Sequence, residues 1–224
     1  MDRETCPRCR RPVSACLCPS EPPMDVRTKI VLLMHDKEWR RQKTNTGRLA
    51  TLHVAGSEIL HGVGFDDHPR LRQLVDDPGN FCALLYPGPG ALNLSDGGVP
   101  PELLDGRRLV AFIVDATWSC SRAVLRASPG LLGLPRLAFN PGQPSRWLIK
   151  KQPRPEYLST IETVHELLLA LERTGVDSYP DKDRLLAAFM AMQDYQIHRA
   201  TSAPRPRHHG MGPTERPEPS GPGA

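Results

Sequence analysis

Short apolar segments separated by polar turns run through much of the chain. They lie at residues 29–34, 57–62, 81–86, 109–114 and 134–139, and charged or turn-forming residues bound them. Short runs of this composition are typical of strands inside a sheet. After the run at 109–114, residues 119–126 have a spacing compatible with a helix. A strand followed by a helix is the unit of open α/β sheets, in which ligands bind outside the carboxyl ends of the strands.

Three further segments carry helix signals. Any of residues 44–46 can cap a helix that runs to about residue 55. Ser159 and Glu162 form a capping box before an apolar stripe, which predicts a helix that ends near Gly175. Residues 181–198 predict a last helix with one buried face.

Length and charge limit the class of protein. The 224 residues suit one domain at 25–200, preceded by a small cysteine-rich segment at 1–24 and followed by a Pro- and Gly-rich, disordered tail at 201–224. No stretch approaches the roughly 20 apolar residues of a membrane span, and the amino terminus has no apolar signal region, so we expect a cytoplasmic protein without membrane contact. The net charge of +4 is modest, so nucleic-acid binding must be argued from local patches.

The amino-terminal segment contains two closely spaced pairs of cysteines, at Cys6, Cys9, Cys16 and Cys18. Such pairs can close a tetrahedral thiolate site, which suits Zn²⁺. In a cytoplasmic chain a metal is favoured over a disulfide because that compartment keeps thiols reduced, although a disulfide and redox chemistry stay open as alternatives. A segment this short, with few apolar residues, would need the metal to fold. We therefore expect a structural zinc knuckle at residues 1–24.

Three side chains with chemical potential follow the strand at 109–114. They are the carboxylate of Asp115, the hydroxyl of Thr117 and the indole of Trp118. At the carboxyl end of a strand these groups can form the floor of a reaction site. The alternative is structural, with Asp115 or Thr117 capping the next helix and Trp118 in the core.

Basic residues cluster around a tryptophan in two places. Residues 36–48 hold five basic residues and two acids around Trp39, and residues 145–152 hold Arg146, Lys150 and Lys151 around Trp147. Cations contact phosphate and aromatic rings stack on bases, so both segments predict RNA contacts, with a solvated helix face as the alternative for the first. Neither a P-loop nor a G-x-G-x-x-G motif is present, which excludes those two kinds of nucleotide site.

Several of these motifs resemble those of the DTW-domain family. The tetrad at 115–118 resembles the Asp-x-Thr-Trp signature of that family. His35 and Glu38, followed by T-N-T-G-R at 44–48, are similar to the family's block after its first strand. The pair Tyr86-Pro87 resembles its second ligand loop and S-T-I-E at 159–162 its third motif, while the cysteine knuckle resembles the start of bacterial members.

The resemblance implies a SPOUT-like α/β domain, in which a largely parallel sheet is flanked by helices and S-adenosylmethionine binds in loops at the strand ends. It implies transfer of the 3-amino-3-carboxypropyl group of S-adenosylmethionine to N3 of a uridine in tRNA, with release of methylthioadenosine. The expected partners are therefore S-adenosylmethionine, tRNA and a structural Zn²⁺.

The resemblance also suggests a role for each site residue. Asp115 is expected to be the general base, because uridine N3–H is weakly acidic, with Thr117 and Trp118 as further catalytic residues. Contacts to S-adenosylmethionine are expected from Tyr86, Pro87, Asp115, Ser159, Thr160 and Glu162. Contacts to tRNA are expected from His35, Glu38, Thr44, Asn45, Thr46, Gly47, Arg48, Arg146, Lys150 and Lys151.

Two other functions fit the same residues. A SPOUT-type tRNA methyltransferase would use the same cofactor on nearly the same fold. A non-enzymatic, zinc-dependent RNA-binding protein would bind tRNA without using S-adenosylmethionine. A phosphotransferase with Asp115 as its nucleophile is disfavoured, because positions 116–119 offer no second carboxylate for Mg²⁺.

Overall fold

The computed structural model describes residues 4–41, 45–150, 152, 154 and 156–202. At its centre lies a sheet of the strands β1 (Lys29–His35), β2 (Glu58–Gly62), β3 (Asn80–Leu85), β4 (Leu92–Asn93), β5 (Arg108–Asp115) and β6 (Arg136–Ala138). All of its strand pairs are parallel, in the order β2-β1-β5-β3-β6-β4. The predicted α/β fold with a parallel sheet is confirmed.

Helices cover both faces of the sheet. They are α1 (Asp36–Arg41), α2 (Thr46–His53), α3 (Pro69–Asp76), α4 (Pro101–Leu104), α5 (Trp118–Arg126), α6 (Pro129–Gly133), α7 (Thr160–Arg173) and α8 (Arg184–Ser202). Ile30 and Leu32 of β1 pack in one apolar core with α2, α7 and α8. Val31 and Leu33 pack in a second core with α3, α5 and α6. The central strands are continuous apolar runs because both of their faces are buried.

The capping box of α7 is present as predicted. The Ser159 hydroxyl accepts from the Glu162 amide, and the Glu162 carboxylate accepts from the Ser159 amide at 2.8 Å. Asn45, one of three candidate caps, caps α2 by accepting from the Arg48 amide at 2.7 Å. The last helix lies at Arg184–Ser202 rather than 181–198.

The helices α1, α4 and α6 and the strand β4 were not expected from the sequence. The helix α1 follows β1 without a turn and has no apolar repeat. The strand β4 has only Leu92 and Asn93, which pair with β6. Residues 203–224 of the predicted tail lie outside the described part of the chain. Among the described helices, none is long and apolar enough to cross a membrane.

The parallel arrangement brings the carboxyl ends of the strands to one edge of the sheet. Asp115, the last residue of β5, lies there beside Met34 of β1. The helices α2, α5 and α7 all begin at this edge, directly after Asn45, Thr117 and Ser159. This edge therefore collects the polar residues that the sequence singled out.

Candidate active site

The carboxylate of Asp115 lies at the centre of this edge and is 5% exposed. Its Oδ1 accepts a hydrogen bond from the Thr160 hydroxyl at 2.7 Å. Its Oδ2 accepts one from the Asn45 side-chain amide at 3.2 Å. One buried side chain therefore joins the end of β5 to the first turns of α2 and α7.

Gly47 allows α2 to approach this carboxylate. A Cβ atom added at Gly47 would lie 2.1 Å from Asp115 Oδ2 and 3.0 Å from Leu32 Cδ1. Real side chains do not come so close, and the neighbours here are a buried carboxylate and a core leucine. Gly47 is therefore required by the packing of α2 against Asp115.

Burial governs the protonation of the acidic groups at this site. Burial raises the pKa of Asp115, while the hydrogen bonds from Thr160 and Asn45 and the nearby charges of Arg48 and Lys150 oppose that rise. Burial and the neighbouring Asp115 charge also raise the pKa of Glu38, whose side chain is buried in α1. A carboxylate with a raised pKa accepts a proton more readily than an ordinary aspartate.

A cavity of about 380 Å³ adjoins the carboxylate, at the ends of β3, β5 and β6. Thr160, whose hydroxyl donates to Asp115, lines it together with Thr163. The remaining walls are mostly apolar and comprise Leu85, Tyr86, Pro87, Ile113, Val114, Ala116, Ser121, Leu137, Ala138, Phe139, Asn140, Pro141, Glu156, Tyr157 and Leu158. Pockets of this size and character are typical of small-molecule sites.

The four amino-terminal cysteines converge as the zinc prediction requires. The sulfur atoms of Cys6, Cys9, Cys16 and Cys18 all lie within 4.8 Å of one another. The Cys6–Cys18 and Cys9–Cys16 sulfur distances are 3.6 and 3.8 Å. Zn–S bonds of about 2.3 Å in a tetrahedron place sulfurs about 3.8 Å apart, so this donor set fits Zn²⁺.

The backbone also prepares the first cysteine for a metal. The amides of Cys9 and Arg8 donate to the Cys6 sulfur and lower the pKa of Cys6 to about 6. A thiolate is the form that binds metal, so this shift favours a bound ion.

Comparison with known proteins shows the family of the chain. The family model described as "DTW domain" matches residues 3–197. The chain belongs to the DTW-domain family. The match covers the cysteine knuckle and every strand and helix through α7.

Three curated relatives of the DTW protein carry the name tRNA-uridine aminocarboxypropyltransferase 2. The Drosophila melanogaster protein is 31% identical over 178 residues, which are 76% of this chain and 67% of the relative. The Macaca fascicularis protein is 25% identical, over 92% of this chain and 68% of the relative. The Mus musculus protein is 27% identical, over 87% of this chain and 64% of the relative. No solved structure matches the chain.

The DTW tetrad itself divides between strand and helix. Asp115 ends β5, and Thr117 occupies the N-cap position of α5 with an exposed side chain. Thr117 thus stands at the helix-cap position that the structural alternative gave it, with no side-chain cap hydrogen bond described, and its catalytic role stays a prediction. Trp118 is the first residue of α5, and its side chain lies outside the described part of the structure.

The expected ligand residues of the DTW protein fall into two groups. Tyr86, Pro87 and Thr160 line the cavity. Ser159 and Glu162 are buried beside it, where Glu162 accepts from the Ser145 hydroxyl at 2.9 Å and the Arg146 amide at 2.5 Å. Glu162 thus anchors the basic loop 145–150 to α7, and its contact to a cofactor stays a prediction.

The basic loop has a second anchor in α8. Gln193 accepts from the Leu148 amide at 2.6 Å and donates to the Arg146 carbonyl at 3.0 Å. Trp147 packs edge-on against Phe189 with ring centroids 4.8 Å apart, which leaves Arg146 and Lys150 exposed. Lys151 lies outside the described residues.

The first basic segment is more buried than expected for a tRNA surface. Asn45, Thr46 and Glu38 are buried, as is His35, whose Nδ1 accepts from the Lys37 amide at 3.1 Å. Thr44 lies outside the described residues, and the Arg48 side chain is half-buried. The tRNA contacts of this segment stay a prediction.

Sequence reasoning missed one wall of the cavity. Phe139, Asn140 and Pro141 follow β6, and Tyr157 and Leu158 precede α7. The Asn-Pro-Gly turn at 140–142, directly after a strand, was the available signal, because ligands bind at the carboxyl ends of parallel strands.

Gly47→Ala is expected to lower the free energy of unfolding by about 1 to 3 kcal/mol, because the new methyl group overpacks Asp115 and Leu32. Urea denaturation measures the change. Gly133→Ala is the matched control, since a Cβ there meets no atom within 4 Å. Equal stability of the two variants would contradict the close approach.

The purified protein is expected to contain one zinc ion per chain, and Cys6→Ser is expected to lose it, because the fourth thiolate is missing. Mass spectrometry of the metal content provides the measurement. Cys82→Ser, which replaces a buried thiol outside the cluster, should keep the zinc. Zinc retained by Cys6→Ser would show that the cluster is not the binding site.

Proposed function

We propose that this DTW protein transfers the 3-amino-3-carboxypropyl group of S-adenosylmethionine to N3 of a uridine in tRNA. The family and the names of the relatives support the reaction class. The observation that carries the proposal in this chain is a buried carboxylate hydrogen-bonded to Thr160, a residue that lines a cavity of ligand size. A cytoplasmic location stays part of the proposal.

The cavity fits S-adenosylmethionine by size and by the chemistry of its walls. About 380 Å³ lies within the range of small-molecule pockets, and apolar walls with two tyrosines suit an adenosyl group. When bound, S-adenosylmethionine supplies a sulfonium whose carbons are electrophilic, so that attack by N3 forms the N–C bond, breaks the S–C bond and releases methylthioadenosine. The walls select which carbon meets the nucleophile by positioning.

The chain's own part in the chemistry is to remove the N3 proton. Thr160 borders the cavity, whereas Asp115 lies behind it. The Thr160 hydroxyl can accept the N3 proton while its own proton passes to Asp115 Oδ1, 2.7 Å away. Burial of Asp115 favours this transfer because it raises the carboxylate's affinity for a proton.

The exposed basic loop is the proposed contact for tRNA. Arg146 and Lys150 present positive charge to solvent, and the anchors at Glu162 and Gln193 fix the loop backbone. Phosphate contacts of this kind position a nucleic acid without reading its sequence.

The decisive experiment is nucleoside mass spectrometry of a tRNA transcript after incubation with the protein and S-adenosylmethionine. An aminocarboxypropyl-uridine is the expected product. A methylated nucleoside would support the methyltransferase alternative instead. Binding of tRNA without a new nucleoside would support the RNA-binding alternative.

Asp115→Asn is expected to lower kcat by about 100-fold or more, because the amide cannot accept the proton. Thr160→Val should also lower kcat, since it breaks the path from the cavity to the carboxylate. Thr160→Ser is the matched control and should keep most of the rate. Steady-state kinetics with a gel-shift assay for tRNA binding separates these losses from failed binding.

The pH profile of kcat provides the internal check. The carboxylate must be deprotonated to accept a proton, so the rate should fall as the pH is lowered through the pKa of Asp115. Because burial raises that pKa, the fall should begin above the range of an ordinary aspartate. A wild-type rate for Asp115→Asn, or a flat acid limb, would show that Asp115 is not the proton acceptor.

A further inference from the structure

The metal knuckle is packed directly against the helix that supports Asp115. A small cavity between them is lined by Cys9 and Arg11 of the knuckle, by Asn45, which caps α2, and by Arg48, Leu49 and Leu52 of α2. Arg11 belongs to the knuckle's turn, because its carbonyl accepts from the Cys6 amide at 2.7 Å. The knuckle and the first turn of α2 therefore share one interface.

Arg11 is an unusual residue for such an interface. It is 5% exposed, and its Nη2 atom is buried without a hydrogen-bond partner among the described residues. No carboxylate in the described part of the chain forms an ion pair with it. Burying a guanidinium without a counter-charge is strongly unfavourable, so a negative charge nearby would stabilise this arrangement.

The sulfur atoms of the knuckle are the source of that charge. Arg11 lines the small cavity together with Cys9, one of the four clustered sulfurs. Burial lowers the pKa of Arg11, and the nearby Cys9, Tyr195 and Cys16 oppose that shift. Four thiolates around one divalent ion carry a net charge of about −2. The loaded cluster therefore supplies the counter-charge that the folded chain does not.

A second set of contacts joins the knuckle to α2. Arg10 adopts a left-handed backbone conformation, with φ of 58°, and its guanidinium carbon lies 4.5 Å from the centre of the Trp39 ring. The Arg48 guanidinium lies 4.5 Å from the same ring and donates to the Trp39 carbonyl. Trp39 thus bridges the knuckle and α2.

Two hydrogen bonds at the first turn of α2 connect Arg48, which contacts Trp39, with Asp115. The Arg48 amide donates to Asn45 Oδ1 at 2.7 Å, and Asn45 Nδ2 donates to Asp115 Oδ2 at 3.2 Å. A shift of α2 away from the sheet would therefore remove one of the two donors that hold the carboxylate.

We propose that Arg11 is a positioning residue, neutralised by the metal–thiolate cluster, through which the loaded knuckle holds the first turn of α2 and Asn45 against Asp115. The effect on turnover rests on the proposed function, whereas the docking of the knuckle does not. The four thiolates, held together by a bound divalent ion, would carry the negative charge, and Arg11 links that charge to the position of α2.

The test compares zinc-loaded, full-length wild type with Arg11→Met, which keeps the length of the side chain and removes its charge. Amide hydrogen exchange should become about tenfold faster or more within Thr46–His53 and stay unchanged within Thr160–Arg173. Competition with a chromophoric chelator should show faster zinc loss. With tRNA and S-adenosylmethionine, kcat should fall while KM for tRNA stays within about twofold.

Two further variants control for a general loss of structure. Arg8→Met removes an exposed charge from the same knuckle and should match wild type in exchange and zinc retention. Arg11→Lys keeps the charge and should recover part of the protection of α2. Chelated wild type, with zinc loss confirmed, should reproduce the fast exchange of α2.

The proposal would be overturned if amide hydrogen exchange in α2 stayed as slow as in wild type in Arg11→Met or in the chelated protein. Zinc loss from Arg11→Met without faster amide exchange in α2 would also overturn it. Absence of any modified nucleoside from wild type would refute the proposed function alone, because exchange and zinc retention are read without catalysis.

Discussion

The candidate site depends on one physical constraint: the buried carboxylate of Asp115 needs hydrogen-bond donors. A buried carboxylate without donors would be costly, and in a surrounding of low polarity each donor counts for more than it would in water. Thr160 and Asn45 supply them from the first turns of two helices. These two hydrogen bonds therefore tie the starts of α7 and α2, which the apolar core packs on the sheet, to the end of β5.

Other buried side chains near Asp115 also hold neighbouring segments by accepting hydrogen bonds. Glu162 accepts from the loop 145–150 and from its own helix cap, and Gln193 holds the next residues of that loop from α8. Each buried acceptor fixes a segment that has no regular structure of its own. The result is a site whose irregular parts, basic loop and knuckle, are held by polar groups rather than by apolar packing alone.

The sequence predicted the elements whose signals are local. Strands buried on both faces are continuous apolar runs, and the capping box marks the start of α7 without reference to anything distant. It could not predict β4, which is defined only by its pairing with β6, or the closeness of Gly47 to Asp115. The four cysteines were predictable as a cluster, but the packing of Arg11 on α2 was not, because it joins segments far apart in the chain.

The first turn of α7 has a consequence for the selection of a target nucleotide. Thr160 bonds to Asp115, and Glu162, in the same turn, bonds to the loop that carries Arg146. A helical turn is a rigid unit about 5.4 Å long, so Asp115 and the loop that carries Arg146 keep a fixed separation. Under the proposed function, an RNA bound by that loop would offer Asp115 only the nucleotide at the matching distance along its backbone. The target uridine would then be selected by its distance along the backbone from the phosphates bound to the loop, and the identity of the neighbouring bases would matter little.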